Sequence, residues 1–194
     1  MTLLLITAPS VEPLTAAEVR DHLHIDDSVA DEDFAGWIAA ARQEAEHLTG
    51  RALITQTWER VLHAFPVGRI PLGMPPVVSI TSVKYIDTAG VEQTLSSSAY
   101  TLDEVSDPGW LYPSVAYPTW PSTQADRPNA VRVRFTCGYG AASSAVPAPI
   151  KHWMKLRIGT MEKLRDGVVI GVSATEVSNQ YIDRLLDRYR IWGV

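Results

Sequence analysis

The sequence predicts an α+β protein in which a helical bundle body, with two helices at each end of the chain, is interrupted by a β-rich insert. Helical apolar periodicity runs through the first fifty residues and returns after Pro147. Between them, residues 53–135 are rich in Val, Ile, Thr, Tyr and Trp, punctuated by Pro and Gly, with no sustained helical stripe. The 194 residues, 46% hydrophobic and 20% charged, are enough for one domain carrying an insert around a conventional core. The expected division is 1–52 for the N-terminal part of the body, 53–140 for the insert and 141–194 for the C-terminal part with its tail.

Taken in order, Met1-Thr2-Leu3-Leu4-Leu5-Ile6 is apolar but lacks a basic flank and stops at Pro9, so it reads as a short strand or an adhesive arm. The first helix follows Pro13. Thr15 and Glu18 form a capping box, Ala16, Val19 and Leu23 share a face, and the helix ends near His24. In the second helix Phe34, Trp37, Ile38, Ala41, Ala45 and Leu48 hold a stripe for four turns, and Asp31, Glu32 and Asp33 meet the positive end of its dipole. Gly50 stops it. Strands are expected at 53–63, 77–86, 91–95, 98–102 and 130–137, with Asp87-Thr88-Ala89-Gly90 as a hairpin loop. From Pro108 to Pro128 an ordered, irregular loop is expected, pinned by Trp110, Tyr112, Tyr117 and Trp120. Pro147-Ala148-Pro149 opens a third helix whose apolar side is Ile150, Trp153, Met154, Ile158 and Met161, ending near Arg165. Val168 to Val177 reads as an apolar loop or hairpin. The last helix starts at Ser178 or Asn179 with the stripe Ile182, Leu185, Leu186 and Tyr189.

No catalytic constellation emerges. His22 and His24 lie beside Asp26 and Asp27, but on a helix the two imidazoles point about 200° apart and cannot share a metal. Asp31-Glu32-Asp33 lacks the alternating spacing, central Gly and distal Glu of a calcium loop, and helix capping accounts for it. Cys137, the one cysteine, ends a strand where a small hydrophobe is ordinary, so a core thiol is expected rather than a nucleophile. Gly171-Val172-Ser173-Ala174-Thr175 lacks the second Gly of a nucleophile elbow, and Gly138-x-Gly140 lacks the third Gly of a dinucleotide loop. No metal, cofactor or enzymatic activity is expected.

One cysteine excludes an internal disulfide, and no apolar run approaches the roughly 18 residues of a membrane span. The cytoplasm is the expected compartment. The net charge of -5 argues against generic nucleic-acid binding, because phosphate neutralisation needs Lys and Arg.

Several segments together carry a resemblance. They are Pro13-Leu14-Thr15-Ala16-Ala17-Glu18 with His22-Leu23, the acidic Asp31-Glu32-Asp33, and Thr49-Gly50-Arg51-Ala52-Leu53-Ile54-Thr55-Gln56-Thr57-Trp58. Pro128-Asn129-Ala130-Val131-Arg132-Val133-Arg134-Phe135, Gly138-Tyr139-Gly140 and Val146-Pro147-Ala148-Pro149-Ile150-Lys151 follow. In this order the chain resembles, over nearly its whole length, the head–tail connector (adaptor) proteins of long-tailed bacteriophages and of phage-derived gene transfer agents. Cys137 departs from the small residue usual at its place, and 159–180 match the family poorly.

The resemblance implies a ring, usually of twelve subunits, beneath the portal at the capsid vertex. It implies a portal protein and a tail-side connector or stopper protein as partners, DNA passing through the lumen without specific binding, and no membrane. It also implies a place in the neck of a virion or phage-like particle assembled in the bacterial cytoplasm. The apolar character of the free end, with the family's habit of docking through its C-terminus, makes Leu186, Tyr189, Ile191 and Trp192 the candidate portal-binding residues. The other readings of the residues are a monomeric ligand- or peptide-binding module with a concave pocket, and a hydrolase using Cys137 or an Asp/His pair.

Overall fold

The computed structural model describes residues 2–25, 31–163 and 182–191. Among these, eight strands form two antiparallel sheets, accompanied by three α-helices. The strands are β1 (Thr2–Thr7), β2 (Gln56–Leu62), β3 (Ile70–Pro71), β4 (Val77–Ile86), β5 (Glu92–Thr94), β6 (Tyr100–Asp103), β7 (Trp110–Pro113) and β8 (Val131–Cys137). The helices are α1 (Ala16–Leu23), α2 (Asp31–Thr49) and α3 (Ala148–Lys163). No helix among the described residues is long and apolar enough to cross a membrane.

The expected helical bundle body with two N-terminal and two C-terminal helices is therefore corrected: the protein is mostly β with a few helices. Two elements decide it. The apolar start of the chain is a strand that joins the main sheet, so β structure is no mere insert between helices. Near the C-terminus, Arg184–Tyr189, expected to be α-helical, is a six-residue 3-10 turn that follows the α-helical Ile182 and Asp183. Its apolar spacing of three and four suits either geometry, and 3-10 turns are frequent where an α-helix ends. Residues 164–181, which hold the expected apolar loop and the start of the last helix, lie outside the described residues, as do Asp26 and Asp27.

The chain divides into two compact units. The first comprises residues 2–10 with Thr55–Tyr139. Its larger sheet has the order β1-β2-β8-β4-β5 and the smaller one β3-β7-β6. Strand β8 shows a clean period of two: Val131, Val133, Phe135 and Cys137 are buried and alternate with Arg132, Arg134 and Thr136. Glu59 of β2 lies directly opposite Arg134 and accepts from its Nε at 3.1 Å and Nη2 at 2.9 Å. The smaller sheet contributes Ile70 and Leu111, and Leu72 follows β3; all three are fully buried. Arg60 donates from Nε to the Pro71 and Leu72 carbonyls at 3.1 Å each, which ties the two sheets together; burial pulls its pKa down. The β4–β5 hairpin closes at the expected residues. Asp87 Oδ1 accepts from the Ala89 and Val91 N–H groups, and Gly90 N–H donates to the Asp87 carbonyl at 2.9 Å.

Two of the aromatic residues expected to pin an irregular loop instead form β7. Arg69 lies over Trp110, 3.8 Å from its centroid, and donates to the Tyr112 hydroxyl at 3.0 Å. Trp120 does pin its loop, stacking on Phe65 at 5.1 Å and donating from Nε1 to the Gly68 carbonyl. Tyr117 is 57% exposed and pins nothing.

The second unit comprises Val11–Ile54 and the described residues from Gly140 onward. Here α2 packs on α1, on α3 and on the C-terminal 3-10 turn. Phe34, Ala41, Ala45, Ile150, Met154 and Ile158 are fully buried at helical spacing. The capping box of α1 forms as expected: Glu18 N–H donates to Thr15 Oγ1 at 3.2 Å, and Thr15 N–H donates to Glu18 Oε2 at 2.9 Å. Lys151 of α3 donates to the other carboxylate oxygen at 3.0 Å.

Partial burial tends to raise the Glu18 pKa, but the Thr15 N–H and the Lys151 ammonium outweigh it and hold the carboxyl below its ordinary value. A folded-state pKa below the unfolded one stabilises at neutral pH, and that contribution is lost as pH falls through the lowered value. Acidification from pH 7 towards about 3 should thus weaken α1. Glu18→Gln should cost roughly 0.5–1 kcal/mol at neutral pH, because the partly exposed pair is screened, and should flatten the dependence. Melting curves of both proteins at the two pH values check this; parallel losses would refute it.

Candidate functional site

The C-terminal segment is built onto the end of α2. Gly50 follows α2 with φ +70°, the left-handed conformation that glycine adopts without steric cost, and turns the chain out of the helix. Its bare face takes the Ile191 side chain: a Cβ at Gly50 would lie 3.6 Å from Ile191 Cδ1. Ile191 N–H donates to the Thr49 carbonyl at 3.1 Å, satisfying one of the orphan acceptors at the helix end. Next to it, Arg51 Nε donates to the Tyr189 carbonyl at 2.6 Å. The 3-10 turn closes on Arg190 N–H, which reaches the Leu186 carbonyl at 3.1 Å. Upstream, Asp183 accepts from Trp153 Nε1 of α3 at 3.0 Å.

Of the four sequence-designated residues, Leu186 is fully buried and Tyr189 and Ile191 are half-buried. Trp192 lies outside the described residues. The structure thus brings Leu186, Tyr189 and Ile191 onto one short, multiply tethered segment, with Leu186 as its root in the core. Sequence reasoning missed the tethers Arg51 and Asp183. Arg51 stands in the Thr-Gly-Arg join, but nothing in the motif says that its guanidinium reaches a carbonyl 138 residues away.

The residues weighed for chemistry are placed as follows. Cys137 is fully buried at the end of β8, with Sγ 3.8 Å from the Gln56 carbonyl, a core thiol as expected. His22 meets His152 edge to face at 6.1 Å, and burial together with the nearby Lys155 charge lowers its pKa. His24 caps α1 at φ 54°. Among the described residues no group of three or more His, Cys, Asp or Glu could hold a metal ion. An open cleft is lined by His63, Ala64 and residues 123–128, beside which His63 Nδ1 accepts from the Asn129 N–H at 3.3 Å.

No protein-family model matches the chain. No curated protein matches it either. Solved structures do. The chain is similar, at 26% identity and a TM-score of 0.78, to a chain in the neck of an empty gene transfer agent (GTA) particle computed with C6 symmetry. The same figures relate it to a chain in the virion of a native GTA particle. A third likeness, at 26% identity and a TM-score of 0.75, is to a chain in the neck of a native GTA particle computed with C12 symmetry. Each match covers 100% of this chain and 97% of the other.

Proposed function

We propose that this protein is a structural component of the neck of a phage-like particle, and more closely a head–tail connector (adaptor) subunit. In this reading copies form a ring under the portal that extends the DNA channel and joins capsid to tail. One observation carries it: full-length likeness to GTA neck chains, with both compact units included.

Several features support the finer reading. A ring of about twelve copies needs heterologous lateral contacts between two different faces of each subunit. The net charge of -5 suits a lumen through which DNA slides without being gripped. The tethered segment carrying Tyr189 and Ile191 is the proposed portal contact, with Leu186 anchoring it from within and Trp192 following it in sequence. The β-rich unit is the proposed side for a tail-side connector or stopper protein, and assembly takes place in the bacterial cytoplasm.

Removal of the gene should leave DNA-filled capsids and unattached tails, with tailed particles restored by the gene supplied in trans. Electron microscopy of purified particles reads the outcome. Normally tailed particles from the deletion strain would end the proposal.

A further inference from the structure

β1 is an edge of the five-stranded sheet, and among the described residues β2 is its one strand neighbour. Its six residues, Thr2-Leu3-Leu4-Leu5-Ile6-Thr7, include no charge, no proline and no glycine. Leu4, Leu5 and Ile6 are 45%, 47% and 41% exposed, so the strand shows apolar side chains on both faces as well as an open edge. An unprotected apolar edge is a template for another strand, and natural proteins blunt such edges or cover them.

The opposite margin of the same sheet is blunted. β5 is only three residues long and is exposed throughout, and Lys84 and Glu92 form an ion pair across it at 2.9 Å. Beyond β5, strand β4 has two register irregularities, at Val77/Ser79 and Ile80/Ser82. Shortness, charge and bulges are the devices that stop a sheet margin from recruiting strands. β1 carries no charge and is twice as long as β5; its single irregularity, between Leu5 and Thr7, falls at Ile6, the last residue of its apolar run, and leaves Leu3, Leu4 and Leu5 in regular register. One margin is protected and the other is left adhesive.

We propose that β1 is a lateral assembly edge, covered by an extended segment of a second copy of this chain. The inference rests on the neck reading, since the similar chains come from necks computed with C6 and C12 symmetry. Cyclic symmetry also fixes the kind of contact. Two β1 strands could pair with each other only across a two-fold axis between neighbours, which a ring of more than two copies around one axis lacks. β1 of each copy therefore meets a different segment of the next one, and the contact repeats until the ring closes.

The test places a photoreactive benzoylphenylalanine at position 4 or 5 of the full chain, one on each face of β1, and irradiates purified necks. Adducts between two copies of this chain are expected. Necks that contain the chain but yield adducts only to a different protein, or none, overturn the edge assignment while leaving the neck reading intact. If the chain is absent from necks, the neck reading fails by itself, and irradiation of the concentrated purified chain decides the edge: copy-to-copy adducts retain it and their absence overturns it. A second variant, Leu4→Lys, sets an ammonium at a 45% exposed position opposite Glu59 on the neighbouring strand, and a melting curve checks that the fold is kept. Incorporation into necks should then fall by at least ~10-fold, and unchanged incorporation with an unchanged melting curve would also overturn the proposal.

Discussion

Deleting residues 190–194 is expected to leave a folded protein that no longer joins capsids. Of its described residues Arg190 and Ile191 are half-buried, and Leu186, the fully buried residue of the preceding turn, lies upstream of the cut. Among the described residues the folded-state loss includes the Arg190 N–H bond to the Leu186 carbonyl, the Ile191 N–H bond to the Thr49 carbonyl and the apolar cover over Gly50, the last two worth about 1–2 kcal/mol together. The loss at the portal should be larger, because aromatic and aliphatic anchors at an interface centre commonly carry 2 kcal/mol or more, about 30-fold in affinity. Tailed-particle yield, set beside circular dichroism and a melting curve, separates the two losses. Ile191→Ala refines the test, since it keeps the backbone bond to Thr49 and removes only the side chain. Wild-type particle yield from both variants would exclude the C-terminal segment as the portal contact.

The largest effect on stability is expected at Glu46. This side chain is 8% exposed; its Oε2 accepts from Arg42 Nη1 at 2.8 Å and its Oε1 from the Leu53 N–H at 3.0 Å. Arg42, 9% exposed at its side chain, also donates from Nε to Glu12 at 2.8 Å. One buried network thus joins the chain before α1, the middle of α2 and the residues after it. Removing one partner of a buried pair leaves an uncompensated charge, so Glu46→Ala should cost about 3–5 kcal/mol. Replacing both charges by apolar side chains, Arg42→Met with Glu46→Leu, should cost much less than that single change, limited by the orphaned Leu53 N–H and Glu12. Denaturant midpoints of the three proteins decide; a loss below about 1 kcal/mol for Glu46→Ala would show that the network contributes little.

Those same two residues mark where sequence reasoning stops. The stripe read for α2 ran through Phe34, Ile38, Ala41 and Ala45, all of them buried, but also through Trp37 and Leu48, which are only half-buried. Arg42 and Glu46, one position after Ala41 and Ala45, are buried in their place. Periodicity counts apolar residues and assigns charges to solvent; a charge whose partner comes from Glu12, 30 residues away, is invisible to it. Two strands of the smaller sheet, β3 and β7, escaped for a related reason, while β6 overlaps the strand expected at 98–102. β3 has two residues and β7 four, and Pro71, Pro108 and Pro113 lie in or beside them, so no run was long enough to show a period.

The candidate site was legible in part. The apolar spacing at Ile182, Leu185, Leu186 and Tyr189 marked a segment that packs on α2 and α3, yet not its conformation. A spacing of three and four serves an α turn or a 3-10 turn, and the tethers from Thr49 and Arg51 come from residues more than a hundred positions earlier. Leu186 and Ile191 look alike in sequence; only the packing makes the first a core residue and leaves the second partly open.

By itself the sequence determined the elements whose causes are local. The Thr15–Glu18 box starts α1, Gly50 ends α2 because it reaches positive φ, Asp87 closes the β4–β5 loop on its own backbone, and alternation writes β8. Only the tertiary structure decided that Thr2–Thr7 is the edge of a five-stranded sheet and that the protein is mostly β with few helices. A strand has no hydrogen-bond partner within itself. Its place in a sheet is set by β2, more than fifty residues away in the chain, and not by any pattern within its own six residues.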